Sequence, residues 1–264
     1  MRLQNKVIIV TGSTTGIGKA IALRCEAEGA RVIIHGLEQE MGESVLNELG
    51  KENAALHIED ISKEGCPDRL VALAVASFGQ LDAVVNNAAM VVSSNILTTD
   101  SSFLRKVIEV NTIAPFALIK AALPHLTKQR GCVLNIGSVN AYSGEPDLFA
   151  YSVSKGALMT MTRNLGDTLH RENGVRVNQI NPGWVLTETE IQRKKDQGLA
   201  EDWFKNIPDV YAPAGRILKP SEMAAAAVYW LADESGPISG QVVDLEQHPF
   251  IGRNPPKNTT TLST

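Results

Sequence analysis

Short apolar, β-branched runs alternate along this chain with longer stretches whose apolar residues recur every three or four positions. Residues 6–11 read Lys-Val-Ile-Ile-Val-Thr and are closed by Gly12. A run that is apolar on both faces predicts a strand buried between two layers. Helical spacing follows over 17–29 and closes at Gly29. The same alternation predicts strands over 31–35, 54–58, 81–85, 132–136, 175–180 and 241–245. Helices are predicted over 38–50, 66–78, 101–129, 149–172 and 221–232. Pro115 and Pro124 are expected to interrupt the 101–129 helix, because proline lacks the amide donor and crowds the preceding turn. Strands that alternate with helices predict a single-domain α/β fold, a doubly wound parallel sheet with helices on both faces.

Two stretches depart from the alternation. Residues 187–213 are charged, irregular and too long for a plain connection, which predicts a lid or substrate loop. Residues 247–264 are rich in Pro, Asn and Thr and predict an extended tail.

Composition narrows the function classes. The chain has 264 residues, is 44% hydrophobic and 20% charged, and carries a net charge of −4. That balance gives no general attraction to nucleic acid or to an anionic membrane. Cys25, Cys66 and Cys132 are widely spaced and lack metal-ligand spacing, so reduced thiols and no metal site are expected. No signal peptide is expected before the first strand, and no apolar run is expected to reach the length of a membrane span. A cytoplasmic protein is the resulting expectation.

The chemistry starts from Tyr151 and Lys155, four positions apart on one predicted helix and therefore on one face. A free phenol has a pKa near 10. An ammonium beside it would stabilise the phenolate and lower that value, giving a tuned proton carrier. The spacing alone is equally that of a surface tyrosine near a solvated lysine. A second feature is Thr11-Gly12-Ser13-Thr14-Thr15-Gly16-Ile17-Gly18, between the first strand and the first helix. Glycines there permit a tight turn and close backbone approach, and the helix N-terminus offers amide donors to phosphate groups. The second strand ends Ile34-His35-Gly36-Leu37-Glu38. Neither a well-placed acid for ribose hydroxyls nor an arginine for an extra phosphate stands there, and Glu38 leans the reading to NAD over NADP.

Taken together, Thr11-Gly-x-x-x-Gly-x-Gly18, Asn86-Asn87-Ala88-Ala89, Asn111, Ser138, Tyr151-x-x-x-Lys155 and Pro182-Gly183 occur in the order and spacing of the short-chain dehydrogenase/reductase family. The chain resembles that family from about residue 5 to residue 245. The resemblance implies a Rossmann-type fold and an NAD- or NADP-linked interconversion of alcohol and carbonyl. It implies that Ser138 orients the substrate oxygen, that Tyr151 exchanges the proton, that Lys155 lowers the phenol pKa, and that Asn111 maintains a water chain from Lys155. It implies dinucleotide contacts at Gly12, Thr14, Gly16, Ile17, Gly18, Gly36, Leu37, Asp60, Asn86, Ala88, Tyr151, Lys155, Pro182, Gly183, Val185 and Thr187. Taken alone, Asp60 reads equally as a helix N-cap, Asn86 as a structural turn residue and Thr187 as an ordinary loop residue.

Three positions depart from the family pattern: Ala89 where a glycine is usual, the end of the second strand, and Asp244-Leu245-Glu246 where Asp-Gly-Gly is usual. Substrate choice lies in loops, with Asn140, Glu145, Phe149, Trp184 and the 188–213 segment as candidate lining beside Ser138 and Tyr151. Asn140 and Glu145 suit hydroxyl groups, and Trp184 offers a flat face for a sugar ring or else packs within the lid. Arg193, Lys194 and Lys195 read as a solvated charge run, and His248 or Arg253 are candidates to reach a neighbouring subunit. A sugar, polyol or other small hydroxylated substrate is expected first, and a 3-oxoacyl or 3-hydroxy acid second. A non-catalytic dinucleotide sensor is the competing class. A homodimer or homotetramer through the long helices is implied by the resemblance.

Overall fold

A computed structural model describes residues 1–249. The apolar runs become seven strands of one parallel sheet in the order β3-β2-β1-β4-β5-β6-β7. They are β1 (Val7–Val10), β2 (Arg31–Gly36), β3 (Ala54–Ile58), β4 (Ala83–Asn86), β5 (Cys132–Ile136), β6 (Arg176–Pro182) and β7 (Val242–Leu245). The order reverses direction beside β1, between β1 and β4, which opens a crevice at the carboxyl ends of those strands.

Side chains alternate across the pleat, so the inner strands feed two cores. Ile8 and Val10 join Ile21, Ala22 and Cys25 of α1 (Gly16–Ala27), with Val45 of α2 (Gln39–Leu49) and Ala227 and Val228 of α9 (Pro220–Leu231). Val7 and Ile9 join Leu70 and Ala74 of α3 (Cys66–Phe78), with Leu118 and Ala122 of α5 (Ala114–Gln129) and Leu169 of α7 (Phe149–Asn173). Continuous apolar strands are what a sheet covered on both faces requires.

The prolines do not break the long helix. α4 (Ser101–Ile108) passes through a π-helical stretch, Glu109–Ile113, into α5. Pro115 falls in the first turn of α5, where its missing amide costs little, and Pro124 lies inside α5. The interruption is the wider π turn, which takes up an extra residue and buries Asn111. The whole helix, Ser101–Gln129, is long and apolar enough to cross a membrane, contrary to the sequence expectation. Its inner residues Leu118, Ile119, Ala122 and Leu126 pack on the sheet, as a core helix does.

The 187–213 segment is more ordered than its charge pattern predicts. Glu188–Asp196 forms α8, with Thr187 capping it by accepting from the Glu190 amide at 3.1 Å, and Trp203–Lys205 adds a 3-10 turn. The tail expected over 247–264 falls mostly outside the described residues, and Arg253 with it.

Candidate active site

The turn after β1 supplies the first wall of the crevice. Gly12 and Gly16 have φ of +61° and +55°, values that favour glycine. A Cβ on Gly12 would lie 2.9 Å from the Ala88 backbone, and one on Gly18 would overlap the Gly12 carbonyl and the Asn87 amide. The turn is therefore a bare backbone cradle at the N-terminus of α1, the form a pyrophosphate needs. Thr11 Oγ1 accepts from the amides of Asn87 and Ala88, both at 3.0 Å, and Asn87 Nδ2 donates to the carbonyls of Thr11 and Gly12, both at 2.9 Å. These bonds weld the turn to the segment after β4. Asn87 was not among the residues expected at the site; the doubled asparagine is the signal for it.

At the end of β2, Thr14 stands against Gly36, so any side chain at Gly36 would collide with it. Leu37 is 62% exposed and contributes no charge. His35 is buried, and its Nδ1 accepts from the Gly12 amide at 3.3 Å, so burial holds its pKa down at about 4. Asp60 caps a local turn, accepting from the Ser62 amide and hydroxyl at 2.9 and 2.7 Å, which lowers its pKa; the helix N-cap alternative falls because α3 starts later, at Cys66. The Asn86 side chain donates to Asn135 at 2.8 Å within the sheet rather than facing the crevice. His57, Glu59 and Cys66 bring their ligand atoms within 4.8 Å of one another, yet Arg69 already pairs with both Glu59 oxygens, at 3.0 and 2.7 Å.

The catalytic candidates converge opposite this cradle. Ser138 lies two residues beyond β5, and its Oγ accepts from the Asn140 amide at 3.2 Å, leaving the hydroxyl proton free to donate. The Ser138 side chain acts on the Tyr151 phenol of α7, opposing the rise in its pKa. Lys155, one turn on, is 2% exposed, and its Nζ lies 5.7 Å from the Tyr151 ring centroid and donates to the Ile136 carbonyl at 2.7 Å. Burial without a paired carboxylate lowers the Lys155 pKa to about 8. The expectation that Lys155 brings the phenol below its ordinary value is not met by the protein's own groups. Burial dominates and pushes Tyr151 up to about 12, opposed first by Ser138 and then by Arg193. Asn111 is held firmly in place by its own side chain. Its Oδ1 accepts from the Met90 amide at 2.7 Å, and its Nδ2 donates to the Met90 carbonyl at 3.1 Å and to Ser154 at 2.9 Å. It thereby ties the segment after β4 to the helix that carries Tyr151.

The fold is similar to the crystal structure of a short-chain dehydrogenase/reductase described as a glucose/ribitol dehydrogenase from Brucella melitensis, with a TM-score of 0.84, 27% identity, and coverage of 92% of this chain and 96% of that one. A family model described as enoyl-(acyl carrier protein) reductase matches residues 12–246. Glucose 1-dehydrogenase 2 of Bacillus subtilis is 35% identical over 92% of this chain and 94% of its own length. The chain belongs to the short-chain dehydrogenase/reductase family. Meso-2,3-butanediol dehydrogenase of Serratia marcescens is a further relative, 30% identical over 93% of this chain and 95% of its own length. Members of the family interconvert alcohols and carbonyls with NAD or NADP, and this chain is an oxidoreductase acting on CH–OH groups.

Family membership makes the departures informative. The Ala89 side chain is exposed, so the extra methyl meets no backbone. At the end of β7, Glu246 accepts from the Trp184 amide at 3.0 Å, and its carboxylate lies where a side chain on Gly183 would stand. The departure from Asp-Gly-Gly thus becomes an internal cap on the segment after β6. Thr187 rests against the turn, 3.3 Å from a Cβ on Gly16, which places Pro182, Gly183 and Thr187 along one path beside the cradle. Val185 is buried instead, in a bridge with Leu218.

On the substrate side, Asn140 donates to Glu145 at 3.3 Å. Trp184 is no free platform: it stacks on Trp203 with centroids 5.2 Å apart, donates to Glu190 at 2.8 Å and has the Lys194 ammonium 5.5 Å from its ring centroid. The packed alternative for this residue is the one the structure adopts. Arg193 is more than a solvated charge. It pairs with Glu190 at 2.8 Å, and its charge acts on Tyr151 and Glu145. A polar cleft of about 490 Å³ lies between Ser93, Asn95, Glu145, Asp147, Arg193 and Lys194.

Proposed function

We propose that this chain interconverts a secondary alcohol and a ketone on a sugar, polyol or other small hydroxylated compound, with NAD as its preferred dinucleotide. The observation that carries the reading is the convergence of Ser138, Tyr151 and Lys155 beside a cleft whose Glu145 and Arg193 both act electrostatically on the phenol. The cleft is rich in acceptors and donors, and the Arg193 charge is already balanced by Glu190, which favours a neutral polyhydroxyl compound over an anion.

The bound dinucleotide accepts or supplies the hydride. Gly12, Gly16, Gly18 and the first amides of α1 would hold its pyrophosphate, with Asp60 and the segment 86–88 on the adenosine side and Pro182, Gly183 and Thr187 on the nicotinamide side. Ser138 would donate its free hydroxyl proton to the substrate oxygen. Tyr151 would take the alcohol proton in oxidation and return it in reduction. Lys155 would offset charge on the phenolate, and Asn111 would hold the helix carrying both. The residues at the end of β2 and in the glycine-rich turn, namely Gly36, Leu37, Ser13, Thr14 and Thr15, include no cation for an extra phosphate, and Glu38 would repel one. Exposed Ile113, Phe116 and Val153 on the long helices give this chain an apolar outer face suited to a second copy, as a homodimer or homotetramer.

Fluorescence titration with NADH and NADPH, followed by an activity screen of polyols, sugars, 3-hydroxy acids and 3-oxoacyl thioesters, tests the proposal. Tighter NADH binding and turnover of a polyol or sugar is the expected result. Turnover confined to acyl substrates would move the assignment to them, and no turnover on any class would favour a binding role.

A further inference from the structure

Beneath the crevice, a line of hydrogen-bonded polar side chains crosses four strands. Asn86 on β4 donates to Asn135 on β5 at 2.8 Å, and Asn135 donates to Thr162 on α7 at 2.8 Å. The Thr162 hydroxyl shares its one proton between Gln179 Oε1 on β6 at 2.8 Å and the Leu158 carbonyl at 2.9 Å, and Gln179 Nε2 donates to Asn181 Oδ1 at 2.7 Å. The same Asn181 oxygen accepts from the Ser138 amide at 3.1 Å, while Asn181 Nδ2 donates to Asp244 on β7 at 3.0 Å. Asn135, Thr162, Gln179 and Asn181 are all fully buried. The direction of the line is fixed at its end: the Ser138 amide can only donate and the Asp244 carboxylate only accept, so Asn181 must present its oxygen to one and its nitrogen to the other.

Four fully buried polar side chains, three on the strands and Thr162 on α7, have a cost in desolvation that only full pairing offsets. An apolar ladder would hold the strands equally well. What the polar line adds is position. It ends on the backbone of Ser138 and runs through α7, which carries Tyr151 and Lys155. Gly137 has no room for a side chain because Asn181 and Gln179 fill that space, so the turn before Ser138 is pressed directly onto the pair. The Tyr142 phenol, four residues past Ser138, has its pKa raised by burial first and then by Asp244.

We infer that Asn181, held by Gln179 and Asp244, is a positioning residue: it fixes the Ser138 backbone so that the hydroxyl meets both Tyr151 and the substrate oxygen. The inference rests on the substrate-orienting role proposed for Ser138. Displacement of such a hydroxyl by a fraction of an ångström to one ångström lowers turnover by about 10- to 100-fold, because the reacting groups no longer align.

A donor–acceptor swap tests it. Asn181→Asp sets two carboxylates against each other at the Asp244 contact and is expected to lower kcat by about 10- to 100-fold while the dissociation constant for NADH stays unchanged. The double variant Asn181→Asp with Asp244→Asn restores every bond with the roles reversed at that contact, and is expected to recover most of the lost kcat. Recovery of kcat with NADH affinity constant throughout supports positioning of Ser138. Wild-type kcat in Asn181→Asp, equal losses of kcat in the single and double variants, loss of NADH binding in step with kcat, or failure of the double variant to fold would each overturn it. Ser138→Ala is measured alongside: full activity in that variant removes the role proposed for Ser138, whereas an inactive Ser138→Ala beside a fully active Asn181→Asp removes this inference alone.

Discussion

Replacing Lys155 by methionine should make this protein more stable and inactive. Lys155 is 2% exposed, and burial with no paired carboxylate lowers its pKa from 10.5 to about 8. At about 1.4 kcal/mol per unit, holding that ammonium inside the fold at pH 7 costs about 3 kcal/mol. Methionine keeps the length of the side chain and removes the charge, but it leaves the Ile136 carbonyl without the lysine donor, an offset of about 1 kcal/mol. The variant should therefore gain about 1–2 kcal/mol at pH 7, a rise in Tm of a few degrees for a chain of this size. The gain must also depend on pH. Below about 8 the lysine is protonated in both the folded and the unfolded chain, and its full cost is present. Between about 8 and 10.5 the unfolded chain keeps a proton that the folded protein has lost, so wild-type stability rises with pH and the advantage of methionine shrinks. Urea unfolding of both proteins at pH 7 and at pH 9.5 reads the two differences directly. A methionine variant less stable than wild type at pH 7, or a difference that does not change with pH, would refute the reasoning that Lys155 is a buried, uncompensated cation held for chemistry.

Other outcomes follow from the same geometry. Gly18→Ala puts a methyl into the Gly12 carbonyl and the Asn87 amide, so it should lower stability by about 1–3 kcal/mol and abolish the stabilisation that NADH gives in thermal unfolding. Leu37→Arg places a cation at the exposed end of β2 and should raise the ratio of NADPH to NADH kcat/KM by about tenfold or more; an unchanged ratio would mean that the dinucleotide does not pass this residue. Because burial pushes the Tyr151 phenol up to about 12, alcohol oxidation should accelerate with rising pH between 7 and 10 while ketone reduction does not, which initial-rate profiles in the two directions check.

The fold was legible in the chain because a sheet covered on both faces leaves a plain signature. Val7–Val10 is apolar at every position and Cys132–Ile136 at all but Asn135, and glycines follow both runs. What the periodicity misplaced depends on backbone geometry that residue type alone does not set. Pro115 and Pro124 read as breaks, yet one sits in a first turn and the π stretch around Asn111 takes the strain instead. The 187–213 segment read as irregular because α8 buries none of its residues, so no apolar stripe announces it. Among site residues, Ser138, Tyr151 and Lys155 were found because each has a fixed chemical type at a fixed interval. Arg193 was passed over because a charged triplet on an exposed helix looks solvated until its neighbours are known. The pairing of Asn181 with Ser138 was equally hidden, since 43 positions separate them. The rise in the phenol pKa was hidden because it comes first from burial, which sequence does not report.

The central claim is that the Tyr151 hydroxyl carries the proton in an alcohol–ketone interconversion. Tyr151→Phe removes that oxygen alone and leaves the dinucleotide cradle intact. Turnover of the substrate found by the screen should fall by about 10²- to 10⁴-fold while NADH binding, followed by fluorescence titration, stays at the wild-type level. Near-normal turnover by the phenylalanine variant would contradict the account.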